Sequence, residues 1–132
     1  MKKKYISVIL FCLYIGVVAL LCFAKGDQLP QLPAQWFGLP ADKIAHLLMF
    51  LPFTILALPA VNPSGNGFKG TLLIIVASFC VGVLAAVSTE VVQNILGYRK
   101  YEIADLIMDI AGLSAGTVIC LIRTVATRRR DK

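Results

Sequence analysis

The stretch TLLIIVASFCVGVLAAVSTEVVQNIL, residues Thr71 to Leu96, decides the fold of this 132-residue chain. No charged side chain occurs in it before Glu90. A helix needs about 20 consecutive apolar residues to cross the hydrocarbon core of a bilayer. The stretch therefore predicts a transmembrane helix, and the polar residues Glu90 and Gln93 are expected close to one of its ends.

Three more stretches of the same kind lie on either side of it. The chain is 58% hydrophobic and only 15% charged, which is too apolar for a water-soluble domain of this length. The four predicted spans are Tyr5 to Phe23, Ile44 to Val61, Thr71 to Leu96 and Ile103 to Ala126. We therefore expect an all-α fold, in which residues 1–132 form a single four-helix transmembrane bundle.

The basic residues predict how these spans are oriented. Nine of the 13 Lys and Arg residues lie in or next to the two tails and the second loop: Lys2, Lys3, Lys4, Lys69, Arg123, Arg128, Arg129, Arg130 and Lys132. Because cytoplasmic loops carry an excess of such residues, both termini are expected in the cytoplasm. The same distribution explains the net charge of +6 without a nucleic-acid partner. In a competing interpretation the first span is a cleaved signal peptide that ends before Lys25, although its apolar stretch is long for one.

Polar and ionisable residues gather at one end of the predicted spans. They are Asp42, Lys43, His46, Glu90, Gln93, Arg99, Asp105 and Asp109. A charge near the bilayer centre costs roughly 2.5 to 3.5 kcal/mol even on lenient scales, so intramembrane ionisable residues are usually functional. The short third loop makes the third and fourth spans antiparallel neighbours, and this brings Glu90 close to Asp105 and Asp109.

Helical spacing places these residues on shared faces. Asp42 and His46 are four residues apart, so the carboxylate can orient the imidazole. The fourth span carries a face with intervals of four, three and four: Asp105, Asp109, Gly112 and Gly116. The two glycines predict close helix packing. In the plainer structural interpretation, Asp42 is only a helix N-cap and the other polar residues only lock the bundle.

These residues form a pattern that resembles the VanZ-like family of membrane proteins. The pattern is Asp-Lys-x-x-His-x-x-x-Phe from Asp42 to Phe50, followed by Glu90-x-x-Gln93, Arg99, Asp105 and Gly112, and it covers about residues 42–116. The chain departs from it at Asp109, where the family usually has Asn. The resemblance implies a multi-pass protein of the bacterial cytoplasmic membrane, in a family named for a member linked to resistance against the glycopeptide teicoplanin. It implies no settled reaction.

Acids, an imidazole and cations in one cluster predict a site, open to the outer leaflet, that binds or modifies a phosphorylated or lipid-linked component of the cell envelope. The expected catalytic residues are His46, Glu90, Asp105 and Asp109, and the expected binding residues are Asp42, Lys43, Gln93 and Arg99. Glu90 would act as general acid or base with His46 as its partner, while Arg99 and Lys43 neutralise phosphate. Whether the chain is an enzyme stays open.

Three carboxylates and an imidazole also suit a divalent ion, but spacing alone does not select one, so we assign no metal ligand and no cofactor. The expected partners are membrane lipids and the envelope component, without nucleic acid, and helix contacts offer a route to an oligomer.

The chain has neither a P-loop nor a His-Glu-x-x-His motif. The alternative function is a noncatalytic scaffold or binding protein whose polar cluster only stabilises the bundle.

Overall fold

The computed structural model describes residues 2–23, 35–36, 38–62, 67–97 and 102–130. Its helices are α1 (Lys2–Phe23), α2 (Ala41–Phe50), α3 (Pro52–Val61), α4 (Gly67–Ile95) and α5 (Ile103–Arg130). Two short antiparallel strands, β1 (Gln35–Trp36) and β2 (Leu39–Pro40), precede α2. Gly38 lies between them at a φ of +79°, which glycine adopts without a steric penalty. The predicted all-α fold is confirmed.

Four helical segments are long and apolar enough to cross a membrane. They are Tyr5–Phe23, Ala41–Val61, Gly67–Ile95 and Ile103–Arg130, and their ends agree with the predicted spans to within four residues. An even number of crossings returns a chain to the side from which it started. Four crossings would therefore put the start of α1 and the end of α5 on one side of the membrane. This placement, and the assignment of that side to the cytoplasm, stay predictions.

The second span is interrupted at Pro52. Proline has no N–H to donate to the preceding turn, and its ring crowds the carbonyl group four residues earlier. For this reason α2 ends at Phe50 and α3 begins at Pro52. Leu51 between them keeps a right-handed helical backbone, and its amide donates to the Leu47 carbonyl oxygen at 3.1 Å. The two helices thus follow one another without a loop, where the sequence predicts one uninterrupted helix.

The core lies where the end of α2 meets α3, α4 and α5. Its buried members are Phe50, Phe53, Ala86 and Leu113. Helix α1 packs mainly against α3, with the Phe11 and Phe53 rings edge to face at a centroid distance of 5.7 Å. The Tyr14 hydroxyl donates to the Met49 carbonyl oxygen at 2.6 Å. Large apolar side chains cover the outward faces of the helices, as contact with lipid requires.

Helix α5 lies very close to the backbone of Leu47 and Leu51 at two glycines. A Cβ atom at Gly112 would lie 2.0 Å from the Leu47 carbonyl oxygen, and one at Gly116 would lie 2.0 Å from the Leu51 carbonyl oxygen. No side chain fits at these distances, so the predicted packing role of the glycines is confirmed. This contact sets the height of α5 against α2, and it places Asp109, one turn before Gly112, beside His46.

Candidate functional site

The polar residues lie at the end of the bundle where α1 and α4 end and where α2 and α5 begin. Two groups of residues form the site. We call His46, Glu90, Asp105 and Asp109 the inner cluster, and Asp42, Lys43 and Glu102 the rim. Every side chain of the inner cluster is buried, with at most 5% of the residue exposed. The Asp42 and Glu102 side chains of the rim are 45% and 55% exposed.

His46 is the centre of the inner cluster. Its Nδ1 lies 2.9 Å from Oδ1 of Asp109 and 4.0 Å from Oε1 of Glu90. Its Nε2 lies 3.7 Å from Oδ2 of Asp105. The imidazole comes from α2 and the carboxyl groups come from α4 and α5. The predicted convergence of these residues at one place is therefore confirmed.

Asp109 provides the carboxylate that orients the imidazole, a role that the helical spacing predicts for Asp42. Asp42 lies instead 3.1 Å from Nζ of Lys43. The prediction that Asp42 is the N-cap is also wrong, because Pro40 occupies that position and no side-chain cap hydrogen bond forms. Asp42 lies in the first turn of α2, where a negative charge interacts favourably with the helix dipole.

Lys43 joins the rim to the inner cluster. Its ammonium group contacts Asp42, Asp105 and Glu102, the last at 2.5 Å. Three carboxylates thus surround one cation, so this geometry does not favour the predicted role of Lys43 in neutralising phosphate. Together the inner cluster and the rim contain five carboxyl groups, one ammonium group and one imidazole, which makes the site acidic.

Two oxygens of the inner cluster have no hydrogen-bond partner among the described residues. They are Oε1 of Glu90 and Oδ2 of Asp109, and both are fully buried. Buried side-chain oxygens nearly always accept a hydrogen bond, because an unmet buried polar group costs free energy. The inner cluster therefore keeps a capacity to accept a proton, a hydrogen bond or a cation that the described protein groups do not use.

Two predicted binding residues are placed differently. The Gln93 amide is buried and donates from Nε2 to the Cys22 carbonyl oxygen at 2.7 Å, so it connects α4 to the last turn of α1. Arg99 lies outside the described residues. Roles for both residues in ligand binding stay predictions.

Glu102 is missing from the predicted set, although it contacts Lys43. A signal for it is present in the sequence. Glu102 stands three residues before Asp105, at the start of a helix, where acidic side chains are favoured. Residues three apart can also share a face. A lysine that contacts Asp105, as Lys43 does, can therefore reach Glu102 as well.

Residues Gly112 to Gly116 read Gly-Leu-Ser-Ala-Gly, which matches the Gly-x-Ser-x-Gly signature of serine hydrolases. In those enzymes the serine stands on a sharp turn between a strand and a helix. Here the whole motif lies inside α5, and its two glycines touch the Leu47 and Leu51 carbonyl groups. The match is thus a packing feature, and it gives no support to Ser114 as a nucleophile.

Comparison with known proteins places the chain in a family. The VanZ/LLP1 family model matches residues 8–124, a range that contains the inner cluster and the rim. It extends beyond the residues 42–116 of the sequence pattern and takes in most of α1 and α5. No curated protein and no solved structure matches the chain. With nearly its whole length covered by the family model, the chain belongs to the VanZ/LLP1 family.

Proposed function

We propose that this VanZ/LLP1 protein uses the inner cluster as a working site in the bacterial cytoplasmic membrane, where it binds or modifies a phosphorylated or lipid-linked component of the cell envelope. One observation carries the proposal, namely the buried convergence of an imidazole with three carboxyl groups from two other helices. Ionisable groups are costly within a membrane, and where they occur they usually serve a function.

The unpartnered oxygens support a working site over a purely stabilising network. Removing polar groups in favour of well-packed apolar ones often leaves a protein as stable or more stable. Hydrogen bonds between membrane helices contribute only about 0.6 kcal/mol on average. Oε1 of Glu90 and Oδ2 of Asp109 are buried without a hydrogen-bond partner among the described residues. These two oxygens would add little stability to a network that only stabilised the bundle.

The arrangement suits acid–base chemistry. Glu90 and Asp109 face the same ring nitrogen of His46, so a proton can be shared between imidazole and carboxylate. Asp109, at 2.9 Å, holds the ring in one orientation, as the third group of a catalytic triad does. Asp105 faces the other ring nitrogen and is itself held by Lys43.

A phosphorylated ligand also needs positive charge. Because Lys43 is surrounded by three carboxylates, we assign this task to Arg99, which can bind phosphate with two parallel hydrogen bonds. Arg99 belongs to the short connection between α4 and α5, the two helices that carry Glu90 and Asp109. The exposed rim residues Asp42 and Glu102 mark the side from which a lipid headgroup would approach.

The test is a pair of variants in a strain with a measurable envelope phenotype, such as teicoplanin susceptibility. Glu90→Gln and His46→Ala should abolish the phenotype while the protein stays at normal abundance in the membrane. Asn94→Ala, at an exposed position on the same helix as Glu90, is the matched control and should leave the phenotype unchanged. A phenotype that survives both Glu90→Gln and His46→Ala would overturn the proposal.

A noncatalytic scaffold is the second candidate function. The contacts of Lys43 favour it, since they tie the first turn of α2 to Glu102 and Asp105 at the start of α5. In that case the site variants would disappear from the membrane together with the phenotype. Measuring abundance alongside susceptibility therefore separates the two functions.

A further inference from the structure

We infer that His46, Glu90 and Asp109 form a binding site for one divalent transition-metal cation of the Zn²⁺ or Mn²⁺ type. The three residues are contributed by α2, α4 and α5, and all three are buried. The inference deepens the proposed function, because the role of the cation in the protein rests on that function. The binding itself follows from the geometry and charge of the three side chains.

The three ligand groups are close enough to share one ion. One ligand atom from each residue lies within 4.8 Å of the other two. Ligand atoms bound to the same Zn²⁺ at 2.0–2.2 Å are separated by about 3 to 4.4 Å. Nδ1 of His46 lies 2.9 Å from Asp109 and 4.0 Å from Glu90. Small side-chain rotations are therefore enough to bring the three groups around one cation.

The unpartnered carboxylate oxygens point independently to a ligand. Glu90 is 2% exposed and Asp109 is 0% exposed, and each has one oxygen without a hydrogen-bond partner among the described residues. These oxygens belong to two of the three residues that the geometry selects. A bound cation would satisfy them and would remove the cost of leaving them unpaired.

Asp105 and Lys43 form the outer layer that such a site needs. A metal-binding histidine usually donates its second ring N–H to a carboxylate, which fixes the tautomer. Nε2 of His46 faces Oδ2 of Asp105 at 3.7 Å, and Lys43 holds the other oxygen of Asp105. With the proton on Nε2, the Nδ1 lone pair is directed at Glu90 and Asp109. In the metal-free site the hydrogen bond between this lone pair and Asp109 then needs a proton on the Asp109 carboxyl group. Cation binding takes the place of that proton and releases it.

The charges select the kind of cation. A neutral imidazole and two carboxylates carry two negative charges, which one divalent ion balances. Imidazole ligation favours zinc and related transition metals, and carboxylates extend the range to manganese. Asp42, Glu102 and Asp105 also have ligand atoms within 4.8 Å of one another. The ammonium group of Lys43 already contacts all three of them, so we place the cation only at the inner cluster.

The test uses the full-length chain, purified in detergent without a polyhistidine tag and stripped of metal with a chelator. Titration with Zn²⁺ or Mn²⁺, followed by desalting and elemental analysis, should give one ion per chain. Asp109→Asn keeps the size of the side chain but removes its charge, and it should weaken binding by at least about tenfold, as should Glu90→Gln. Asn94→Ala, at an exposed position on α4 outside the inner cluster and the rim, is the control and should bind as the wild type does.

The spectrum of the bound ion provides a second measurement that does not depend on variants. The chain has a single histidine, so nitrogen coupling in the electron paramagnetic resonance of bound Cu²⁺ or Mn²⁺ from an imidazole reports His46 alone. Wild-type protein that retains no stoichiometric ion, or that retains one without imidazole coupling, would overturn the inference. Equal affinity in wild type, Glu90→Gln and Asp109→Asn would overturn it as well.

No envelope component takes part in these measurements, so the two proposals can fail separately. Metal binding that depends on Glu90, combined with a cell phenotype that survives both Glu90→Gln and His46→Ala, would overturn the proposed function alone. A cell phenotype that depends on Glu90, combined with a wild-type chain that binds no ion, would overturn the cation site alone.

Discussion

At the scale of single residues, His46 depends on carboxyl groups from two other helices. Glu90 is supplied by α4, and Asp105 and Asp109 by α5. In a buried, apolar setting each of these groups needs a partner, because an isolated charge there is very costly. The pairing of Lys43 with Asp105 is therefore as important for the cluster as the contacts of the imidazole.

Replacing Lys43 with Met should destabilise the bundle strongly. The change leaves Asp105, which is 5% exposed, without its cation, and breaking a buried ion pair in this way costs roughly 3 kcal/mol. Glu102→Gln removes one exposed partner of the same lysine and should cost at most about 1 kcal/mol. Thermal unfolding in detergent compares the two variants. Equal losses of stability would show that Lys43 is not needed to compensate a buried charge.

Residue spacing predicts which residues meet but not which atoms pair. Asp42 stands four residues before His46 and is within reach of it along the helix, yet Asp109 makes the closest carboxylate contact with the ring. That contact depends on the position of α5 along the axis of α2. This is a tertiary feature, and residue spacing within one helix cannot predict it. The pairing of Glu102 with Lys43 depends on the same tertiary feature, since Lys43 lies on another helix.

At the scale of helices, the packing of α5 on the end of α2 positions the site. Gly112 and Gly116 let the backbone of α5 rest on the Leu47 and Leu51 carbonyl groups. Small residues at such interfaces are typical of membrane helices, where close van der Waals packing drives association. The glycine spacing is readable from the sequence, whereas the identity of the partner helix is not.

Gly112→Ala should force α5 away from α2. The added Cβ would lie 2.0 Å from a backbone oxygen, which cannot rotate aside, so a loss of about 3 kcal/mol, at the upper end for overpacking, is expected. Gly16→Ala in α1 is the matched control, since no atom of the described part of the chain lies within 4 Å of its Cβ position. Unfolding temperature and abundance in the membrane measure the difference. An unchanged Gly112→Ala variant would contradict the packing described above.

Gln93→Leu should loosen the end of α1. The variant loses the hydrogen bond from Gln93 to the Cys22 carbonyl oxygen, a bond of about 0.6 to 1.7 kcal/mol in a membrane. Cys22 is 3% exposed, so its thiol should react faster with a maleimide in the variant, in a background where the other three cysteines are serine. Asn94→Leu, at an exposed position, should leave the labelling rate unchanged. Equal rates in both variants would show that Gln93 does not hold α1.

Span lengths are the most predictable feature at this scale, because the thickness of the bilayer fixes them. The ends of α3 and α4 fall within four residues of the expected positions. The break at Pro52 is also encoded locally, since proline disfavours the interior of a helix, although the prediction joins α2 and α3. Gln35 pairs with Pro40 in the short hairpin. No apolar stretch in the sequence predicts this pairing in the way that the apolar stretches predict the spans.

At the scale of the whole molecule, the polar end and the basic end lie at opposite ends of the bundle. Arg128 near the end of α5 stacks over the Phe68 ring at the start of α4, 4.1 Å from its centroid. The inner cluster lies at the other ends of the same two helices. Lys and Arg prefer the cytoplasmic side, so the charge pattern predicts that the site lies on the outer side of the membrane.

Cysteine labelling in intact cells should detect this orientation. In a cysteine-free background, Glu102→Cys should react with a membrane-impermeant maleimide, because the Glu102 side chain is exposed and is expected outside. Thr127→Cys, near the basic end of α5, should react only after the cells are permeabilised. The opposite pattern would place the site in the cytoplasm and would overturn the predicted topology.

Oligomerisation through helix contacts stays a prediction that cross-linking in membranes can address.

The most direct measurement of the central claim is the envelope phenotype of Glu90→Gln, Asp109→Asn and the double variant at matched abundance in the membrane. Residues that act as one unit give strongly non-additive effects. If the inner cluster is a single working site, each single variant should lose the phenotype almost completely, and the double variant should lose no more. Full function in both single variants, or effects that simply add, would contradict the claim.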